Sequence, residues 1–191
     1  MNQFLWNKKS GALPQKRLTY RQILWSIPFI LLIHNVEEAL TMPRWVSENL
    51  LLIRERMILF RYIEFSTDQI YISLLFVSII PFIVALLCLR LPLQKKRVFI
   101  VLILQGIIFW NALIPHLSGI KLLGMYNPGA VTAVIFNIPF SVYLFRRSLK
   151  EGMFTAKNLR NIMLLALVAY LPVVYLNHLF AQFIASMFLQ Q

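Results

Sequence analysis

His34, Glu37 and Glu38 have residue types and a spacing suited to binding a metal ion. On a helix, His34 lies three residues before Glu37 and four before Glu38, so all three share roughly one face. A histidine and a carboxylate at this spacing can bind one ion, as paired ligands do in zinc motifs and di-iron bundles. Two adjacent carboxylates in an apolar segment would also repel each other unless a cation compensates. The pattern predicts a functional site that either binds a metal or acts as a metal-free acid–base or proton-relay site.

The chain has two other histidines, and each lies within a later apolar run. The predicted metal ligands are His34, Glu38, His116 and His178. Imidazole and carboxylate together suit zinc, which we expect first, and also iron(II) or manganese. For His178, a hydrogen bond to a neighbouring helix is an equally good interpretation.

We assign roles to the remaining polar residues at the same depth from their positions in the chain. The predicted catalytic residues are Glu37, Glu38 and His34. Glu37 would act as a general base or would orient a ligand. The predicted substrate-binding residues are Asn111, Tyr126, Gly129 and Thr132. The sequence Asn127-Pro128-Gly129 indicates a turn, and the helix that follows offers free amides to an anion, although a plain loop-to-helix turn explains it equally well.

These residues must be positioned by elements that sit in lipid. The chain has 191 residues, of which 59% are hydrophobic, and its mean hydropathy is +0.70, whereas soluble domains are about 45–50% apolar. With no alternating strand pattern, the composition predicts an all-α, polytopic transmembrane helix bundle. The predicted spans are 23–40, 69–91, 98–117, 128–145 and 162–188. The predicted domains are a basic cytoplasmic segment, 1–22, and one transmembrane domain, 23–189.

The segment 44–64 carries too many charges for a span and predicts an amphipathic helix that lies in the interface or folds over the bundle. The net charge of +12 comes from short basic clusters between apolar runs, which is typical of membrane topology rather than of nucleic-acid binding. The segments before span one, between spans two and three, and between spans four and five hold 14 of the 19 basic residues. The positive-inside rule predicts a cytoplasmic N-terminus, an external C-terminus, and histidines in the outer half of the membrane.

The motifs also resemble a known family. The run His34-Asn35-Val36-Glu37-Glu38 is similar to the motif that names the HXXEE-domain membrane proteins, small bacterial proteins of unknown function. The pair Asn111 and His116, and the stretch 126–132, look like further motifs of that family. The resemblance covers roughly residues 25–180 and implies a bacterial cytoplasmic membrane protein in which these residues matter. It implies no reaction.

Three functions remain open. The first is a metal-dependent membrane enzyme, of hydrolase or acyltransferase type, acting on a lipid or lipid-linked substrate at the extracytoplasmic face. The second is a proton- or ion-coupled transporter, which the sparse polar residues in the inner halves of the spans argue against. The third is an accessory membrane subunit. The sequence makes no prediction of the substrate, the reaction or the oligomeric state.

Overall fold

The protein folds as a bundle of α-helices. A computed structural model describes residues 18–57, 61 and 65–189, so most of the predicted basic segment 1–22 lies outside the described residues. All secondary structure in this described part is helical, which confirms the predicted fold class. The five helices are α1 (Tyr20–Arg56), α2 (Thr67–Leu89), α3 (Lys95–Leu123), α4 (130–150) and α5 (Ala156–Leu189).

The chain is a helical membrane protein. Within the described residues, four helices are long and apolar enough to cross a bilayer, namely α1, α2, α3 and α5. They agree with four of the predicted spans. The fifth predicted span, 128–145, corresponds to α4, which carries Asn137, Ser141 and two arginines and does not meet the same criterion.

The separate helix predicted over 44–64 is wrong for the part of that segment that the structure describes. Residues 44–56 continue α1 without a break, although Pro43 lies inside the helix. The helix continues because its apolar side is buried against α2, with Val46 and Ile53 in the interior. The charged side chains of Arg44 and Glu48 face outward and pair with each other at 2.7 Å. Residues 58–60 and 62–64 lie outside the described residues.

Two apolar clusters stabilise the bundle, one towards each end. The proximal core joins the first part of α1, around Leu24, to the facing ends of the other helices, around Val98 and Ile162. The distal core joins the second part of α1, around Val46 and Ile53, to the beginning of α2 and the end of α3. Between them, the side chains of α1 that face the interior are polar. This gap between the two cores contains His34 and Glu38.

Candidate metal centre

His34, Glu38 and His116 meet inside the bundle and form the only group of three or more potential metal ligands in the described part of the chain. All three are buried, with exposed fractions of 0%, 7% and 2%. Their ligand atoms lie within 4.8 Å of one another. The two Nε2 atoms are 3.1 Å apart, and the Glu38 carboxylate lies 3.5 Å from His116 Nε2 and 3.9 Å from His34 Nε2.

The hydrogen bonds on the far side of each ring determine which nitrogen carries the proton. His116 Nδ1 lies 2.6 Å from the carbonyl oxygen of Pro128, which can only accept, so Nδ1 must donate. His34 Nδ1 lies 2.8 Å from the Thr132 hydroxyl. That hydroxyl gives its one proton to Glu37 at 2.5 Å, so it must accept from His34. Both neutral imidazoles therefore point an unprotonated Nε2 at each other.

Two nitrogen lone pairs at 3.1 Å cannot form a hydrogen bond with each other, and a shared proton, a cation or another donor must offset their repulsion. Zinc–nitrogen bonds of about 2.0–2.1 Å at a tetrahedral angle would separate two ligand nitrogens by about 3.3 Å. The observed separation and the adjacent Glu38 carboxylate fit a first-row divalent metal. The Nδ1 contacts to a carbonyl and a hydroxyl are those that orient metal-binding histidines in known sites.

Glu37 points away from Glu38 and binds the beginning of α4. Its Oε1 accepts from the Tyr126 hydroxyl at 2.6 Å and from the Val131 amide at 3.3 Å. Its Oε2 accepts from the Thr132 amide at 2.8 Å. The anion that the sequence predicts at this helix N-terminus is therefore a side chain of the protein itself. Of the two roles predicted for Glu37, these contacts favour orientation of His34 through Thr132.

Burial of the Tyr126 ring raises the pKa of its hydroxyl above the ordinary value, and the hydrogen bond to Glu37 raises it further. The hydroxyl therefore stays protonated and donates to Glu37 across the neutral pH range. Tyr126 is also held by its backbone, because its carbonyl accepts from the Trp45 indole at 2.8 Å.

Asn111 and His116 are brought together by a π-helical turn within α3. Positions five apart on a regular α-helix point in different directions, whereas a π-helix pairs residue i with i+5. The segment Ala112–Leu117 is π-helical, and Asn111 Nδ2 lies 3.1 Å from His116 Nε2. The Asn111 amide can donate to the one lone pair of His116 Nε2, which agrees with the unprotonated Nε2 deduced above, and a metal ion bound at Nε2 would replace this hydrogen bond. Such turns often occur at functional sites.

Gly129 closes the cluster from the side of the loop. Its φ of +80° is in the left-handed region, where glycine is favoured. A β-carbon here would lie 2.6 Å from His116 Cε1, 2.8 Å from His34 Cε1 and 3.0 Å from Glu38 Cγ. The backbone of the Asn127-Pro128-Gly129 turn thus packs directly on the three clustered side chains.

The predicted substrate-binding residues mostly contact the ligands. Asn111 and Thr132 bond the two histidines, Tyr126 bonds Glu37, and Gly129 covers the cluster. His178 is not part of the three-residue group, although it lines the same cavity as Glu38. Its role as a fourth ligand stays a prediction.

Two contributors were missed by sequence reasoning. The Pro128 carbonyl orients His116, and the Asn127 side chain donates to the Pro115 carbonyl inside the π-helical turn. The turn signal at Asn127-Pro128-Gly129 pointed to the right segment. The signal that could have indicated the distortion in α3 is Pro115, which directly precedes His116 and has no amide hydrogen for the helix.

The fold and this site define a helical membrane protein with a buried imidazole–carboxylate centre. The chain belongs to the family described as "Protein of unknown function with HXXEE motif", whose match covers residues 25–144. The matched range contains all three clustered residues and Gly129, and it ends before His178. The chain is also 23% identical, over 124 residues, to the uncharacterized protein YrkK of Bacillus subtilis (strain 168), and this alignment covers 64% of the chain and 73% of that relative. No solved structure matches the chain.

Proposed function

We propose that this protein is a membrane-embedded, metal-dependent enzyme of hydrolase or acyltransferase type that acts on a lipid or lipid-linked substrate. The observation that carries the proposal is the pair of unprotonated Nε2 atoms, 3.1 Å apart and beside Glu38, whose side chain lines an apolar cavity. Zinc is the metal we expect first, with iron(II) or manganese as alternatives. The relative from Bacillus subtilis supports a bacterial cytoplasmic membrane, and the positive-inside rule supports placing the site in the outer half.

The contacts of each residue indicate its role in the proposed reaction. His34, His116 and Glu38 would hold the ion. A divalent ion there would act as a Lewis acid on a carbonyl oxygen and would lower the pKa of water towards about 7. Glu38 lines the cavity and Glu37 does not, so we assign proton transfer to Glu38. One of its carboxylate oxygens would hold the ion, and the other would take the proton from the attacking water or alcohol and return it to the leaving oxygen or nitrogen as the acyl bond breaks.

Elemental analysis of the purified, detergent-solubilised protein tests the metal. We expect about one equivalent of metal in the wild type, and its loss in His34→Ala and His116→Ala. His178→Ala tests the remaining predicted ligand: retention of the metal would restrict the site to the group of three, and its loss would make His178 the fourth ligand. A folded wild type that binds no metal after purification without chelator and incubation with each of the three metals would overturn the proposal.

A lipid-conversion assay tests the enzyme. The metal-loaded protein is incubated with membrane lipid esters and amides, and the products are identified by mass spectrometry. We expect a conversion that Glu38→Gln abolishes. A metal-loaded wild type that converts no more than Glu38→Gln would leave a metal site without this chemistry and would favour an accessory subunit.

One observation favours a proton- or ion-coupled transporter as the second candidate. The buried side chains of Asn137, Ser141 and Ser148 follow Thr132 along α4 towards the proximal core. Gln105 donates to Ser141 at 2.7 Å, and the Asn137 amide has no partner among the described residues. Proton flux into proteoliposomes that Asn137→Leu blocks, in protein that converts no lipid, would reverse the ranking.

A further inference from the structure

A cavity of about 450 Å³ lies between α1, α2, α3 and α5, directly beside the metal centre. Its volume is within the range of about 300–1,000 Å³ that is usual for small-molecule sites. Glu38 of the centre forms part of its wall, together with Asn111, which bonds His116. A molecule in this cavity would therefore contact both Glu38 and Asn111.

The cavity is polar at one end and apolar at the other. Near the centre its wall contains Glu38, Asn111 and His178. At the opposite end, towards the proximal core, the wall contains Leu31, Ile80, Pro81 and Leu104. The polar Asn35 between the two ends is already satisfied, because it donates to Ser78 at 2.8 Å. This distribution matches a molecule with a polar head and a hydrocarbon chain.

The length of the cavity matches one leaflet of a membrane. Its lining runs from Ile70 to Pro81 on α2 and from Leu31 to Met42 on α1. Eleven residues at 1.5 Å each give about 16 Å along each helix. The hydrocarbon core of a bilayer is about 30 Å thick, so one leaflet contributes about 15 Å. A lipid head group and the first part of one acyl chain fit this length, because Glu38 lies seven residues, or about 10 Å, from the apolar end at Leu31.

His178 supplies the second observation that points to a ligand. Its ring lies mostly inside the protein, and its Nδ1 is buried without a hydrogen-bond partner among the described residues. The edge of the Phe65 ring packs against it, with centroids 6.0 Å apart, and the Gln69 side chain bonds its backbone carbonyl. A buried imidazole held in this way but left unpaired is expected to bind something that the protein does not supply.

We infer that this cavity is the subsite for a single-chain acyl lipid, with its chain between α1, α2 and α5 and its head group at Glu38 and His178. The Nδ1 of His178 would bond an oxygen of the head group, and the scissile ester or amide would lie at the metal centre. The chemistry rests on the proposed function. Occupancy of the cavity can be measured independently of it.

Photolabelling tests the inference without turnover. The probe is a non-hydrolysable, single-chain glycerol ether with a diazirine near the end of its alkyl chain, added to the purified protein in nanodiscs. We expect saturable labelling of the apolar end of the cavity, near Leu104, that excess unlabelled ether removes. Labelling that is spread over the lipid-facing surface and is not displaced by excess ether would overturn the inference.

Two matched substitutions localise the binding. Val77 lines the cavity, so Val77→Trp should fill it and reduce the labelling at least tenfold. Val168 faces outward with an exposed fraction of 72%, so Val168→Trp should not change the labelling. If Val77→Trp does not fold, Ile107→Trp fills the same cavity from α3. Equal labelling of a folded cavity-filling variant and Val168→Trp would contradict the inference.

Metal content separates the two proposals. If the wild type retains metal but shows no saturable labelling, the lipid subsite is contradicted and the metal centre stands. If the wild type binds no metal but shows saturable labelling, the lipid subsite stands and the metal-dependent enzyme is contradicted. In metal-free protein, where a ligand role of His178 has no effect, His178→Leu should weaken the labelling at least severalfold, and unchanged labelling would exclude the contact to the head group.

Discussion

Substituting Gly129 by alanine should disturb the metal centre far more than the same substitution at Gly124. Both glycines have a positive φ, +80° at Gly129 and +70° at Gly124. The new β-carbon at Gly124 would meet nothing within 4 Å, whereas at Gly129 it would lie 2.6 Å from His116 and 2.8 Å from His34. The pair therefore separates the cost of the backbone conformation from the cost of the clash.

The expected magnitudes follow from these two terms. A non-glycine residue in the left-handed region costs about 1–2 kcal/mol, which applies to both variants. Overpacking a dense interior adds about 1–3 kcal/mol, which applies only to Gly129→Ala. Movement of the two imidazoles should also weaken metal binding, and changes in the groups that orient ligands typically weaken it about 10–100-fold.

The assay compares both variants with the wild type in two measurements. Reversible unfolding in mixed micelles gives the free energy of unfolding, and competition with a chelator gives the affinity for zinc. We expect Gly124→Ala to bind zinc as the wild type does. If Gly129→Ala is as stable as Gly124→Ala and retains full zinc affinity, the close packing of the turn against the ligands is refuted.

Three further substitutions test the contacts around the site and the packing of the bundle. Thr132→Val removes the hydroxyl that joins Glu37 to His34 and should weaken zinc binding about 10–100-fold. Thr132→Ser keeps a hydroxyl and should retain the affinity for zinc. Equal zinc affinity in the two variants would contradict this role of Thr132. Because burial and the Glu37 bond raise the pKa of Tyr126 above 10.0, its stabilising contribution is complete below pH 10 and is lost as the pH rises through the folded-state pKa. In alkaline unfolding titrations the wild type should therefore lose more stability than Tyr126→Phe, and parallel curves would contradict the bond. A β-carbon at Gly106 would lie 2.6 Å from Ala166 Cβ, so Gly106→Ala should destabilise the contact between α3 and α5 by about 1–3 kcal/mol. Adding Ala166→Gly to the same chain should restore much of the lost stability. A double variant no more stable than Gly106→Ala alone would refute the contact.

Helical periodicity, together with the depth of the polar residues in the predicted spans, was enough to identify most of the buried cluster. His34 and Glu38 share a helix face because they are four residues apart, and helical geometry fixes that relation before any tertiary contact forms. His116 was added because it lies at the same depth in a later span, and a buried polar group in lipid must find a partner. Neither argument could exclude His178, which lies at the same depth but on a helix whose rotation depends on its neighbours.

The continuous α1 was beyond the same reasoning. The charges at Arg44 and Glu48 indicated correctly that this region is amphipathic. Whether an amphipathic segment begins a new helix or extends the preceding one depends on what covers its apolar side. Here α2 and the end of α3 cover Val46 and Ile53, so burial keeps the helix intact past Pro43.

The sequence by itself determined a helical membrane protein, its family and, among four predicted ligands, the three residues that cluster, because hydropathy, helical periodicity and residue type are local properties. Only the tertiary structure distinguished the two adjacent carboxylates. Successive side chains on a helix point about 100° apart, so Glu38 faces His116 while Glu37 binds the beginning of α4. The contacts that decide this join residues more than seventy positions apart in the chain. They depend on how the loop before α4 folds back onto α1, which no local pattern specifies.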